Sequence, residues 1–142
     1  MSSIWKNKFT KETFDSICKS TLAEHLEIEL VEVGEDYLKL KMPINEKTKQ
    51  PMGLLHGGAS LALSESAGSI ASAMCVDNPF NQQPVGVEIN GNHLRSATSG
   101  YANSVTKPIK IGRTLHVWNT EIFDDEGRLL CTSRLTIMIV KN

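Results

Sequence analysis

Two glycines, Gly57 and Gly58, stand at the head of a stretch with helical spacing, and eight residues after Gly57 a single carboxylate, Glu65, interrupts that stretch. The first amides of a helix have no intrahelical partner and carry the positive end of its dipole. Glycine leaves that end bare, so a carbonyl oxygen gaining negative charge can reach the amides. One turn away from Glu65 lie Leu61, Ala62, Gly68 and Ser69, none of them a charged partner. A carboxylate in such surroundings is a candidate nucleophile or general base. His56 adjoins the glycines and Gln50 lies just upstream. Taken singly, each has an ordinary explanation: a Gly-Gly turn, a glutamate on a wet helix face, a hydrogen-bonded structural histidine. Their concentration between positions 50 and 65 is what makes them a candidate site together.

These groups need a long helix and a framework to hold it. Thr10 is a candidate N-cap for a short helix over 11–19, with a further turn at 21–26. Strands are predicted over 27–33 and 36–43, joined by a Gly34-Glu35-Asp36 hairpin turn. The second alternates cleanly, with Leu38, Leu40 and Met42 on one face against Lys39 and Lys41. A polar, glycine-containing loop over 44–57 leads into the helix, predicted over 59–76. Ala59, Ala62, Ser66, Ser69 and Ala73 lay a small-residue stripe along it beside bulkier Leu63, Ile70 and Met74. After a break at 77–84, strands are expected over 85–95, 100–107, 114–123 and 129–140. Thr98-Ser99-Gly100 and Asp124-Asp125-Glu126-Gly127 supply turns between them. This order gives an α+β fold, one domain over 1–142. A single helix covers one face of such a sheet, so a second copy of the chain is expected to cover what remains.

Composition narrows the partners. A length of 142 residues suits one core, and 40% apolar residues can fill it. The formal net charge of −1 offers no whole-surface field for nucleic acid or an anionic membrane, so an anionic ligand needs a local basic patch. Cys18, Cys75 and Cys131 are widely spaced, without metal-ligand or disulfide patterning. The N-terminal residues carry no long apolar stretch. No signal peptide, membrane span, metal or cofactor is expected, and the cytoplasm is the expected location.

The combination Gln50-Pro51, Gly53-Leu54-Leu55-His56-Gly57-Gly58-Ala59-Ser60 and Ser64-Glu65-Ser66 resembles the hotdog-fold acyl-CoA thioesterases that use a helix-borne glutamate. The resemblance runs from Ile4-Trp5-Lys6 to Ser133-Arg134-Leu135-Thr136. It implies an antiparallel sheet wrapped around one long central helix, and a dimer with a continuous sheet that pairs again into a tetramer. It implies that Glu65 is the nucleophile or general base and that the Gly57 amide polarises the thioester carbonyl. Gln50 and His56 would orient substrate or water, with Ser69 a supporting contact. A thioester carbonyl is already electrophilic and a thiolate leaves readily, so these groups suffice without a cofactor.

Two basic segments are candidates for the coenzyme A side. Asn92-His93-Leu94-Arg95-Ser96 ends one strand. Lys107-Pro108-Ile109-Lys110-Ile111-Gly112-Arg113-Thr114 reads as a connection with three cations and a glycine. Cations and free amides suit a pyrophosphate and a 3′-phosphate. The resemblance puts His93, Leu94, Arg95, Ser96, Lys110, Ile111, Gly112, Arg113 and Thr114 on the nucleotide path, and Gly86 near the acyl or pantetheine channel. It implies an aromatic acyl-CoA as substrate, 1,4-dihydroxy-2-naphthoyl-CoA of quinone (menaquinone) biosynthesis being the first expectation. The alternatives are proofreading of aryl groups mis-loaded on a carrier protein, and a non-catalytic acyl-CoA sensor. His25 and His116 receive no role. Because Gly57 and Glu65 are about 12 Å apart along one helix, the site is expected to be shared between two chains.

Overall fold

The computed structural model describes residues 2–142, leaving Met1 outside. Its elements are helices α1 (Lys11–Cys18) and α2 (Leu22–His25), strands β1 (Glu29–Val33) and β2 (Leu38–Pro43), helix α3 (Gly57–Cys75), and strands β3 (Gln82–His93), β4 (Tyr101–Ile111), β5 (Leu115–Phe123) and β6 (Leu129–Lys141). The strands form one sheet in the order β1-β2-β4-β5-β6-β3, every neighbour antiparallel.

The alternation in β2 does what its period requires: Leu38, Leu40 and Met42 are fully buried beneath α3. Leu63, Ala67, Ile70, Ala71 and Met74 of α3 pack down on the sheet, against a core that includes Trp118 of β5 and Leu135 and Ile137 of β6. Gly68 permits this close approach, since a Cβ there would stand 2.5 Å from Leu135 Cδ2. The small-residue stripe faces elsewhere. Ala62, Ser66, Ser69 and Ala73 are only half-buried, a lane along α3 that the chain's own sheet leaves uncovered.

Two strands run through prolines that the sequence reads as breaks, and β3 ends at His93 rather than at 95. β3 starts at Gln82 and runs through Pro84, which an edge strand tolerates because only one side of it is hydrogen-bonded. β4 continues past Pro108 to Ile111 across a register shift at Pro108/Lys110. Lys107 to Ile111 is therefore strand, and only Gly112, Arg113 and Thr114 turn the chain. As an edge, β3 exposes Val85 (46%) and Val87 (53%) along twelve residues paired only to β6. A long, apolar open edge is a template for pairing with another strand.

Candidate active site

The N-terminus of α3 is built by the preceding loop. Thr48 Oγ1 donates to the Pro43 carbonyl, and the His56 N–H donates to the Thr48 carbonyl at 2.8 Å. Leu55 donates to the Ala97 carbonyl, tying the loop to the segment between β3 and β4. His56 caps the helix: its Nδ1 accepts from the Gly58 N–H at 2.7 Å. The Gly57 N–H has no acceptor among the described residues. One free amide thus remains at the positive end of α3, beside a cavity of about 380 Å³. Gln50, Gly57, Ser60, His93 and Arg95 contribute its polar lining, and Leu130 closes its apolar side. Gln50 Oε1 accepts from the Met52 N–H, which orients its amide at the rim.

Sequence alone assigns no role to Ser60, which it shows only as the end of the glycine motif, or to Leu130. Ser60 sits three residues after Gly57 and shares its turn, a signal that helical spacing contains. Leu130 arrives from the far end of the chain, and nothing local marks it. Another cavity, about 340 Å³, is walled by Asp15, Glu24, Glu27 and Glu29, a composition that repels phosphate.

Glu65 projects from mid-helix onto β3. A Cβ on Gly86 would stand 2.5 Å from Glu65 Oε2, so the carboxylate rests against the one residue type that leaves room for it. None of the ion pairs among the described residues engages Glu65. Gly86, expected on the acyl or pantetheine channel, is the seat of the carboxylate. Gly86→Ala is therefore expected to displace a flexible acid rather than the backbone. We expect kcat to fall about tenfold or more, on the scale of a reacting group moved by an ångström, while the melting temperature stays near wild type. Thiol-release kinetics beside thermal unfolding check this.

Gly57 and Glu65 do not meet in one chain. A Cβ on Gly57 would stand 2.6 Å from His93 Nε2, whereas Glu65 touches Gly86. The two thus mark positions seven residues apart on β3, about 20 Å at strand spacing. Ser69 lies one turn beyond Glu65, half-buried on the same helix.

The basic residues divide as well. Arg95 follows β3 and donates its N–H to the Leu130 carbonyl at the cavity. Lys110 and Ile111 end β4, and Gly112, Arg113 and Thr114 turn beside the start of β3, the Thr114 carbonyl accepting from Ile139. Three antiparallel pairings separate β3 from β4, so their C-terminal ends lie at opposite ends of the sheet. The two basic segments that the resemblance puts on one nucleotide path therefore stand at opposite ends of the sheet in a single chain.

One long helix held across a six-stranded antiparallel sheet defines the hotdog fold. Residues 52–131 match the thioesterase superfamily. The chain is 46% identical over 137 residues to 1,4-dihydroxy-2-naphthoyl-CoA hydrolase of Escherichia coli K12, covering 96% of this chain and 99% of that one. It is 41% identical to the proofreading thioesterase EntH of Cronobacter turicensis, covering 96% and 98%. The crystal structure of a thioesterase from Haemophilus influenzae superposes with a TM-score of 0.93 at 40% identity, covering 97% and 95%. The chain belongs to the thioesterase superfamily, and it is a thioester hydrolase of the hotdog fold.

Proposed function

We propose that the chain hydrolyses an aromatic acyl-CoA to the free acid and coenzyme A, in sites shared between two copies paired along β3. One copy brings Gln50, His56 and the Gly57 amide, and the other brings Glu65 and Ser69. The Gly57 N–H stabilises the charge that gathers on the thioester oxygen. Glu65 acts ionised, either attacking the carbonyl carbon to give a mixed anhydride that water cleaves, or drawing a proton from the attacking water. The thiolate of coenzyme A leaves.

One observation carries this reading: Gly57 and Glu65 rest against two positions of the same edge strand, His93 and Gly86, which a single register of β3 with its copy would bring together. Let β3 pair antiparallel with its copy so that His93, beside Gly57, faces the partner's Gly86, beside the partner's Glu65. Two residues further along, Arg95 comes level with the partner's Pro84. Within a chain Pro84 pairs with Ile139, which donates to the Thr114 carbonyl. The same two-fold axis that joins amide to carboxylate therefore brings Arg95 to the same end as the partner's Gly112–Thr114 turn. The half-buried lane of Ala62, Ser66, Ser69 and Ala73 would let the two α3 helices approach closely. Two such dimers pairing again would give the tetramer. Cys18, Cys75 and Cys131 are all free thiols, which suits the reducing cytoplasm to which we assign the chain.

The similarity to the dihydroxynaphthoyl-CoA hydrolase favours that substrate, and the similarity to EntH supports the second reading, aryl groups on a carrier protein. Thiol release from 1,4-dihydroxy-2-naphthoyl-CoA, benzoyl-CoA and an aryl-loaded carrier separates them. A higher kcat/KM on either coenzyme A thioester supports the proposal; preference for the carrier overturns it in favour of proofreading. Replacing Arg95 or Arg113 by alanine is expected to raise KM for benzoyl-CoA about tenfold, the scale of a lost charged hydrogen bond. Benzoyl-pantetheine, which lacks the nucleotide, should change far less. An equal loss on both substrates would show that these cations do not read the nucleotide.

A further inference from the structure

We infer that His116, joined through Ser72 to the helix that carries Glu65, is a positioning residue that sets the Gly112–Thr114 turn for the nucleotide end of coenzyme A. The inference rests on the proposed role of that turn. Three polar side chains are buried together at this corner of the molecule: Ser72 (0% exposed), His116 (2%) and Trp118 (0%). Trp118 Nε1 donates to Ser72 Oγ at 2.7 Å, and Ser72 Oγ lies 2.8 Å from His116 Nδ1. The Trp118 N–H can only donate, which leaves the Ser72 hydroxyl free to donate to His116 Nδ1. His116 lines one pocket with Gly112 and Arg113, and burial holds its pKa below the ordinary histidine value.

The placement gives this chain of contacts a purpose. His116 pairs with Ile111 at the end of the β4–β5 ladder, so the two residues flank the turn. The turn is closed on itself by Gly112 N–H to the Leu115 carbonyl and fastened to β6 by Ile139 N–H to the Thr114 carbonyl. What neither contact supplies is its placement relative to α3; His116 and Ser72 do. Ser72 follows Glu65 by seven residues, two helical turns. In the shared site one chain delivers both the carboxylate and this turn to the same substrate, so the spacing between the two has to be held rigidly. A fully satisfied buried polar network holds such a spacing better than apolar packing, which slides.

The test uses benzoyl-CoA and benzoyl-pantetheine with the variants Ser72→Ala, His116→Ala and His116→Gln, and with Arg113→Ala as reference. Ser72→Ala and His116→Ala are expected to raise KM for benzoyl-CoA about tenfold, with kcat and the benzoyl-pantetheine KM within about twofold. His116→Gln, which keeps a donor and an acceptor, should restore most of the loss. Thermal unfolding of each variant identifies any that fails to fold, and Ser72→Ala, the smallest change, keeps the test decisive if His116→Ala does. If Arg113→Ala discriminates between the substrates but Ser72→Ala and His116→Ala behave alike on both, the link is wrong and the turn's role stands. If Arg113→Ala fails to discriminate as well, the role of the turn and the inference built on it fall together.

Discussion

Glu65→Gln is expected to lower kcat at least about a hundredfold, the scale of a lost acid–base group, while the fold and assembly persist. The side chain lies half-buried over Gly86, and none of the ion pairs among the described residues holds it. Removing its charge therefore breaks no structural ion pair. Glutamine keeps the shape that rests on Gly86, so the melting temperature should move by only a few degrees, within the range of changes away from packing and networks. KM should change little if Glu65 acts mainly on the transition state, because uniform binding of substrate is left intact. Near-normal turnover by the purified variant would remove Glu65 from the chemistry. A large loss of stability would mean that the carboxylate belongs to the fold.

Much of the framework can be read from residues alone because the signals are local. Leu38, Leu40 and Met42 alternate with lysines and are buried as a period of two demands. The glycine pair and the three- and four-residue steps beyond it mark α3 within two residues of its observed ends. What could not be read depends on the sheet as a whole. Pro84 and Pro108 look like breaks in a single strand, yet one lies in an edge strand and the other at a register shift. Arg95 and Arg113 look alike as basic residues near strand ends. That they stand at opposite ends follows only from the number of antiparallel steps between β3 and β4. Gly86 beneath Glu65, His93 over Gly57 and the buried contact of His116 with Ser72 join residues dozens of positions apart, with no periodicity to announce them.

The separation of Gly57 from Glu65 makes the strongest demand on any mechanism. Reacting groups must converge to about 3 Å around one carbonyl, and a single chain holds this amide and this carboxylate about two helical turns apart. Mixing two inactive variants tests the shared site directly. One carries Glu65→Gln; the other carries Gln50→Ala with His56→Ala. In a heterodimer one site is assembled from both intact halves, and the other carries every defect. With equal amounts and complete subunit exchange, half the dimers are mixed and one of their two sites works. Benzoyl-CoA hydrolysis should then recover to about a quarter of the wild-type rate. Activity that stays at background after exchange has been demonstrated, by tagged-subunit capture or mass spectrometry, would contradict the account, because amide and carboxylate would then have to act within one chain.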